Sequence, residues 1–205
     1  MAESYVIGVD FGSDSVRALI VNTETGENVG QGVACYPRWK AGLYQHPEHS
    51  IFRQHPLDYL ESLEKCITTA LAELTEEQKD HVIGIGVDTT GSTPVPVDKN
   101  GTPLALLDEF AENENAMFFL WKDHAAAAEA DEINKLFRNN SENDYTKYQG
   151  DYSAEWYWAK ILYAVRHDEA IRQAAYTWEE HCDWMTGILC GETRPEKIYH
   201  SACAA

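Results

Sequence analysis

The chain opens with apolar runs that frame a short polar turn. Apolar positions fill Val6 to Val9 and then Val16 to Val21, and small and polar residues lie between them. This pattern predicts a β-hairpin with polar side chains at its tip. Val29 to Tyr36 follows a second polar turn and predicts a third antiparallel strand. The first 36 residues are therefore expected to form a three-stranded meander.

A helical period follows the meander. Between Leu57 and Leu74 the apolar residues recur every three or four positions, and Pro56 precedes them as a start signal. The short apolar run Val82 to Val87 comes next and predicts a buried parallel strand. Strand, crossover helix and strand form a βαβ unit, and ligands of open α/β sheets bind at the carboxyl ends of such strands.

The remaining pattern alternates between loops, strands and helices, so the chain is predicted to be an α/β protein with a mixed sheet. Ser153 is a candidate N-cap, and Gly191 is a candidate helix stop. The helical period places Trp156, Lys160 and Tyr163 on one face. The predicted segments are a loop at Pro37–Pro56, strands at Thr102–Leu107 and Ala116–His124, and helices at Ala125–Phe137, Tyr152–Leu162 and Glu179–Leu189.

The tip of the first hairpin carries candidate chemistry. Asp10 could hold a hydrated Mg²⁺, and Gly12 lets the backbone approach a ligand or adopt a positive φ. Ser13 and Ser15 add hydroxyl donors, and Arg17 is either a further cation or an outward-facing strand residue. An ordinary hairpin with polar turn residues explains the same pattern, so both interpretations stay open.

Two later segments suit a polyol. Thr90, Gly91 and Ser92 follow the predicted parallel strand and combine hydroxyl groups with a glycine. Trp121 offers an indole face to the C–H side of a sugar, and Asp123 offers a carboxylate to its hydroxyl groups. The alternatives are a Thr/Ser-rich turn between strands for the first segment and a packed core tryptophan for the second.

Composition narrows the function classes. Sixteen Lys and Arg residues against 34 Asp and Glu residues give a net charge of −18, which argues against a nucleic-acid-binding surface. The five cysteines lack paired spacing, so reduced thiols in a cytoplasmic protein are expected, without a zinc site or disulfide framework. The sequence predicts no membrane span. Histidines 46, 49 and 55 are interpreted as solvated loop residues rather than a metal cluster.

Four segments together resemble the FGGY carbohydrate kinases, within the superfamily that includes actin and hexokinase. They are the hairpin Asp10 to Arg17, the run V-D-T-T-G-S-T-P from Val87, A-M-F-F-L-W-K-D-H from Ala116, and Y-S-A-E-W-Y-W from Tyr152. The resemblance implies a ribonuclease H-like (actin-like ATPase) α/β domain, with a mixed sheet, a three-strand meander and helices on both faces. Residues 1–205 would be an incomplete N-terminal domain, and the C-terminal ATP-binding domain would be absent.

The resemblance also implies a role for each site residue. Asp10 is expected near Mg²⁺. Sugar contacts are expected from Thr90, Gly91, Ser92, Trp121, Asp123 and Trp156. The remaining hairpin residues are expected to approach the phosphates of ATP, and they are Gly12, Ser13, Asp14, Ser15 and Arg17.

By the same resemblance, the expected reaction is ATP-dependent phosphorylation of L-ribulose at its 5-hydroxyl, in L-arabinose catabolism. The general-base aspartate is expected beyond Ala205, so this chain alone should be inactive. The alternatives are a kinase for D-ribulose, D-xylulose or glycerol, a non-catalytic sugar-binding module, and an actin-like structural protein. A small-molecule sugar is the expected partner, and homo-oligomerisation is left open.

Overall fold

Within residues 3–140 and 142–201, which the computed structural model describes, strands and helices alternate along the chain. The strands are β1 (Tyr5–Phe11), β2 (Ser15–Asn22), β3 (Asn28–Cys35), β4 (Gln45–His46), β5 (Ile51–Gln54), β6 (Val82–Thr89), β7 (Pro94–Val97), β8 (Phe118–Phe119) and β9 (Thr177–Glu180). The helices are α1 (Pro37–Lys40), α2 (Pro56–Leu71), α3 (Glu76–Asp80), α4 (Ala127–Asn139), α5 (Thr146–Gln149), α6 (Tyr157–His167), α7 (Glu169–Ala174) and α8 (His181–Cys190). Cys203 and the expected chain end at Ala205 lie outside the described residues.

The chain divides into two units. Unit 1 comprises residues 3–43 and 55–90, and unit 2 comprises residues 44–54 together with the described residues from 91 onward. The first unit contains the meander and the βαβ crossover, and the second contains the remaining short strands and most of the helices.

Unit 1 is built on a four-stranded mixed sheet in the order β3-β2-β1-β6. β1 pairs antiparallel with β2 and parallel with β6, and β2 pairs antiparallel with β3. The predicted meander and the parallel pairing of the predicted strand are therefore confirmed. That strand is not buried as predicted, because β6 lies at the edge of the described sheet and Ile83 and Ile85 are 69% and 42% exposed. Alternate residues of β1 and β2 face opposite sides, so Phe11, Val16 and Ile20 are buried while Arg17 and Leu19 are exposed.

Helix α2 covers the buried side of this sheet. It presents Tyr59, Leu63 and Cys66 to the strands, and the Tyr59 ring meets the Phe11 ring edge-on at 5.9 Å between centroids. The opposite side is an open groove of about 1030 Å³ that contains Gly8 and Gly86. Because these register partners carry no side chain, they leave the groove floor low.

Unit 2 contains two small antiparallel sheets, in the orders β4-β5-β8 and β7-β9. Its main core packs residues of β8 and β9 against helices α6 and α7, with Phe119 and Trp178 in edge contact at 5.7 Å between ring centroids. The other buried members of that core are Leu104, Ala105, Ala116, Met117, Tyr157, Ala164 and Ile171. Helix α8 ends at Cys190, and Gly191 follows it as the predicted stop, with a φ of 73° in the left-handed region.

Several local predictions are wrong. The helix predicted at Glu179–Leu189 begins at His181, because Glu179 and Glu180 belong to β9, and the helix predicted from Tyr152 begins at Tyr157. Of the strand predicted at Ala116–His124, only Phe118–Phe119 pairs as a strand. His55 is not solvated, because it is buried and its side chain caps α2.

Other errors lie in the loops and caps. Thr102–Leu107 is not a strand, because Leu104–Leu106 forms a 3-10 helix. The segment Pro37–Pro56 is not a plain loop, since it contains α1, β4, a 3-10 turn at Pro47–His49 and β5. Ser153 does not cap α6, because Trp156 occupies the N-cap position. Further 3-10 helices lie at Asp108–Phe110 and Glu114–Ala116.

Candidate functional site

Two charged side chains face each other at the tip of the first hairpin. Asp10 and Arg17 are register partners on β1 and β2, and Arg17 Nε lies 3.7 Å from Asp10 Oδ2. Both side chains are about half exposed on the open side of the unit 1 sheet. A pair in this setting contributes little to stability, so both groups remain accessible to a charged ligand.

The turn itself is held by backbone hydrogen bonds. The Gly12 N–H donates to the Ser15 carbonyl at 2.9 Å, and the Tyr36 N–H donates to the Asp14 carbonyl at 3.0 Å. Gly12 does not adopt a positive φ. Its lack of a side chain instead leaves room for Arg17, because a Cβ there would lie 3.2 Å from Arg17 Nη2.

The turn hydroxyls differ in their surroundings. Ser15 is buried, and its Oγ donates to Asp14 Oδ1 at 2.9 Å. Ser13 is half-buried at the tip. Asp14, which accepts this hydrogen bond, is exposed. The expected phosphate contacts of Gly12, Ser13, Asp14 and Ser15 stay predictions.

A second carboxylate lies beside Asp10. Asp88 on β6 is the parallel register partner of Asp10, so both carboxylates leave the sheet on the same side. The position of Asp88 beside Asp10 was not predicted from the sequence. The signal was present, because each aspartate ends an apolar strand and a βαβ crossover brings such strand ends together.

These two carboxylates fit a magnesium ion that is shared with a nucleotide. Mg²⁺ is usually held by one or two carboxylates, while water and phosphate oxygens complete its shell. Among the residues that the structure describes, no group of three or more His, Cys, Asp or Glu side chains is arranged for a metal. Asp10 and Asp88 would therefore hold Mg²⁺ only together with ligands from substrate and solvent.

The sugar rim predicted at Thr90, Gly91 and Ser92 contains the chain position at which the two units divide. Thr90 ends unit 1, while Gly91 and Ser92 begin the long segment of unit 2. Gly91 is exposed and Ser92 half-buried. The next residue, Thr93, is buried and donates its N–H to Glu180 Oε2 at 2.8 Å. Strand β9 thus fixes the buried end of the rim.

Asp123 is buried in unit 2. Its Oδ2 accepts the Phe52 N–H at 2.7 Å and contacts Nη1 of the buried Arg53, and its Oδ1 accepts the Ala125 N–H at 3.2 Å. The Arg53 guanidinium also lies 3.5 Å from the centroid of the Phe119 ring. These contacts give Asp123 a structural role, and its predicted sugar contact stays a prediction.

Trp121 and Trp156 differ in packing. Trp121 is 39% exposed, in the loop after β8. Trp156 is half-buried, and its ring meets the Tyr152 ring edge-on at 4.9 Å between centroids. Trp156 precedes α6, so it does not share a helical face with Lys160, which is completely buried. Of the two predicted aromatic contacts, Trp121 has the more accessible ring.

A buried acidic pair lies on β9. Glu179 and Glu180 are both inaccessible, and neither carboxylate oxygen of Glu179 has a hydrogen-bond partner within the described part of the chain. Burial, with added repulsion from Asp183 and Asp98, raises the pKa of Glu179 to about 8. Glu179 is therefore protonated at neutral pH, which lowers the cost of its burial.

This raised pKa predicts a pH-dependent loss of stability. Glu179 titrates near 4.5 when unfolded and near 8 when folded, so its stabilising contribution is present below pH 4.5 and is lost as the pH rises through 8. Glu179→Gln stays neutral at every pH. We expect its unfolding free energy relative to wild type to rise between these pH values by up to about 1.4 kcal/mol per pH unit. Urea unfolding at pH 5.5 and 8.5 measures this difference.

Glu132→Gln is the control for this comparison. Glu132 is partly exposed on α4 and pairs with Arg166, and this pairing lowers the pKa of its carboxyl. It stays ionised over the whole range, so the stability difference of Glu132→Gln should not change with pH. Parallel profiles for wild type and Glu179→Gln would contradict the prediction.

Comparison with known proteins indicates the family to which this chain belongs. Residues 5–198 match the family model described as "FGGY family of carbohydrate kinases, N-terminal domain". A ribulokinase from Vibrio parahaemolyticus is 52% identical over 99% of this chain and 36% of its own length. A ribulokinase from Mycolicibacterium smegmatis is 38% identical over 93% of this chain and 35% of its own length.

Solved structures show the same fold. A xylulose kinase from Bifidobacterium adolescentis superposes with a TM-score of 0.72, at 17% identity, over 98% of this chain and 38% of that protein. Glycerol kinase from Plasmodium falciparum, solved with ADP, gives a TM-score of 0.68 at 15% identity, over 93% of this chain and 35% of that protein. The predicted actin-like α/β fold is confirmed.

Two further findings concern the chain as a whole. No helix in the described part of the chain is long and apolar enough to span a membrane. The chain also spans only about a third of the length of the curated relatives it matches. With its family model covering nearly the whole sequence, the chain belongs to the FGGY family of carbohydrate kinases, and it corresponds to their N-terminal portion.

Proposed function

We propose that this chain is the N-terminal portion of a kinase that phosphorylates L-ribulose at its 5-hydroxyl, using MgATP. The observation that carries the proposal is the 52% identity to a ribulokinase along almost the entire chain. The MgATP complex supplies the phosphoryl group and part of the charge neutralisation. The residues of this chain supply positioning for both substrates.

Unit 1 would hold the phosphate end of the nucleotide. Asp10 and Asp88 would share the magnesium ion, while Arg17 would turn from Asp10 towards phosphate oxygens. The 3.7 Å separation of Arg17 and Asp10 supports such an exchange, because the existing ion pair is exposed and weak. Backbone N–H groups near Gly12 and the Ser13 hydroxyl would add neutral donors.

Unit 2 would hold the sugar. The exposed indole of Trp121 would cover its C–H face, and Gly91 and Ser92 would approach its hydroxyl groups. Thr90, Asp123 and Trp156 are secondary candidates, since Asp123 already serves Arg53 and Trp156 packs on Tyr152. Small rim residues favour a longer ketose over glycerol.

The chain alone is proposed to be inactive. Phosphoryl transfer depends on positioning and on a base that takes the hydroxyl proton. The proposal places that base, and the adenosine site, in the part of the relatives that this chain does not span. Residues 1–205 would then be an incomplete N-terminal domain of a cytoplasmic enzyme.

Coupled ADP release tests this proposal. The chain would be assayed with MgATP and L-ribulose, D-ribulose, D-xylulose or glycerol, both alone and fused to the C-terminal part of the Vibrio parahaemolyticus ribulokinase. We expect no turnover by the chain alone and L-ribulose-preferring turnover by the fusion. Preference for another acceptor would overturn the sugar assignment. Turnover by the chain alone would overturn the missing base and direct attention to Asp88 and Asp123.

The proposed stacking of Trp121 on the sugar gives a sharper prediction. Trp121→Ala should weaken L-ribulose binding about fivefold, because stacking of a tryptophan on an apolar sugar face contributes on the order of 1 kcal/mol. Binding to the 205-residue chain would be measured by calorimetry, and KM would be measured in the fusion. The expected change is in KM with kcat nearly unchanged.

Trp158→Ala is the matched control for this variant. Trp158 is 55% exposed on α6, so it too is an accessible tryptophan. Its removal should leave L-ribulose affinity within about twofold, as expected for an exposed residue that is not among the proposed sugar contacts. Equal losses in the two variants would contradict a specific role for Trp121.

A further inference from the structure

The side chain of Lys160 connects separate segments of unit 2. It is completely buried, and its Nζ donates to the carbonyls of Ser92 at 2.6 Å, Leu120 at 3.0 Å and Phe119 at 3.5 Å. An ammonium group has three N–H donors and these carbonyls provide three acceptors. Protonated Lys160 is therefore fully satisfied in this position.

The three carbonyls belong to the segments that carry the proposed sugar contacts. Ser92 is itself part of the rim. Phe119 and Leu120 immediately precede Trp121, the exposed indole. Lys160 holds both segments against α6, so removal of its charge would free the rim and the Trp121 loop from the same anchor.

We propose that Lys160 is a positioning residue, whose buried ammonium fixes the Ser92 and Trp121 segments relative to each other. The three hydrogen bonds from Lys160 Nζ to the carbonyls of Ser92, Phe119 and Leu120 are called the tie below. The contribution of this tie to sugar affinity rests on the proposed function. Lys160 itself does not reach the surface. It acts through the backbone of the residues that do.

The charge of Lys160 responds to pH in the neutral range. Burial lowers its pKa to about 7, opposed by Glu180 on β9 and Glu155 before α6, while Arg53 on β5 adds to the lowering. A neutral amine has only two N–H donors, so one carbonyl loses its partner as the pH rises. The tie is complete below pH 7 and weakened above it.

Nuclear magnetic resonance of the 205-residue chain tests the tie without a ligand. The ¹³Cε signal of Lys160 reports its own protonation, separately from that of Glu180. Between pH 5.5 and 8.5 we expect the amides of Leu120 and Trp121, whose peptide groups contain the Phe119 and Leu120 carbonyls, to shift with the same midpoint as this signal. Amides that do not change while Lys160 titrates would overturn the proposal.

Two variants sharpen this test. Lys160→Met keeps an unbranched side chain that is one atom shorter than lysine and has no charge, so the shared transition of the two amides should vanish. Lys135→Met removes an exposed lysine of α4 and should leave the transition intact. An unchanged transition in Lys160→Met would overturn the proposal. If Lys160→Met does not fold, the wild-type titration alone decides.

A sugar titration separates this inference from the proposed function. L-ribulose binding by wild type should be about three- to tenfold weaker at pH 8.5 than at pH 6, the effect of losing one hydrogen bond. Equal affinity at both pH values would overturn the role of Lys160 in sugar binding. If no sugar binds at either pH while the amides still follow Lys160, the proposed function fails and the tie itself is supported.

Discussion

Replacing Asp123 by alanine is expected to lower the unfolding free energy by about 3–5 kcal/mol. The substitution leaves the Arg53 guanidinium buried without its carboxylate and removes the acceptor of the Phe52 and Ala125 N–H groups. An unpaired buried charge is among the few defects that cost this much. Urea unfolding monitored by tryptophan fluorescence suits this test, because Trp121, Trp156, Trp158, Trp178 and Trp184 all lie in unit 2.

Two comparisons separate this pair from ordinary surface charges. Glu132→Ala breaks the exposed Arg166 to Glu132 pair, whose closest N to O distance is 2.7 Å, and should cost less than about 1 kcal/mol. The double variant Arg53→Met with Asp123→Leu should recover most of the loss, because an apolar pair of similar volume needs no charge compensation. A loss for Asp123→Ala no larger than that for Glu132→Ala would contradict a structural role and favour the predicted sugar contact.

Gly32→Ala is expected to destabilise unit 1 by about 3 kcal/mol. A Cβ at Gly32 on β3 would lie 2.1 Å from the carbonyl oxygen of Cys66 and 3.1 Å from the backbone nitrogen of Ala70. Both atoms belong to the backbone of α2, so no side-chain rotation relieves the clash and the helix must move as a whole. Faster hydrogen exchange of the α2 amides would report this displacement.

Gly86→Ala is the matched control on the same sheet. A Cβ at Gly86 would have no atom within 4 Å, because this residue faces the open groove. Its effect should stay within about 0.5 kcal/mol of wild type, as for most substitutions at open positions. Similar losses in Gly32→Ala and Gly86→Ala would show that α2 shifts freely and would refute the close-packing argument.

Local pattern predicted unit 1 better than unit 2. The meander and the crossover helix have a clear period in the sequence, and both were confirmed. The parallel pairing of β6 was confirmed as well, but its predicted burial was wrong. The short strands of unit 2 have no such period. β8 is only two residues long, and it is a strand because β5 pairs with it. Partners distant in sequence decide such elements.

The wrong predictions have similar causes. Thr102–Leu107 looked like a returning strand, yet Leu104 and Ala105 enter the core of unit 2 as a 3-10 turn. Ser153 had the residue type of an N-cap, but its Oγ accepts the Glu155 N–H in the turn before α6. Core packing outweighed propensity at the first position, and a competing turn did so at the second.

The sequence by itself determined which side chains stand at the ends of the strands and at the tip of the hairpin. That was enough to predict Asp10, Arg17 and Trp121 as candidate ligand contacts and to identify the family by resemblance. Only the tertiary structure decided which polar groups are used internally. It paired Asp123 with Arg53 and placed Lys160 beneath three carbonyls. A buried polar group must find a partner, and that partner is set by the packing of distant segments rather than by neighbours in sequence.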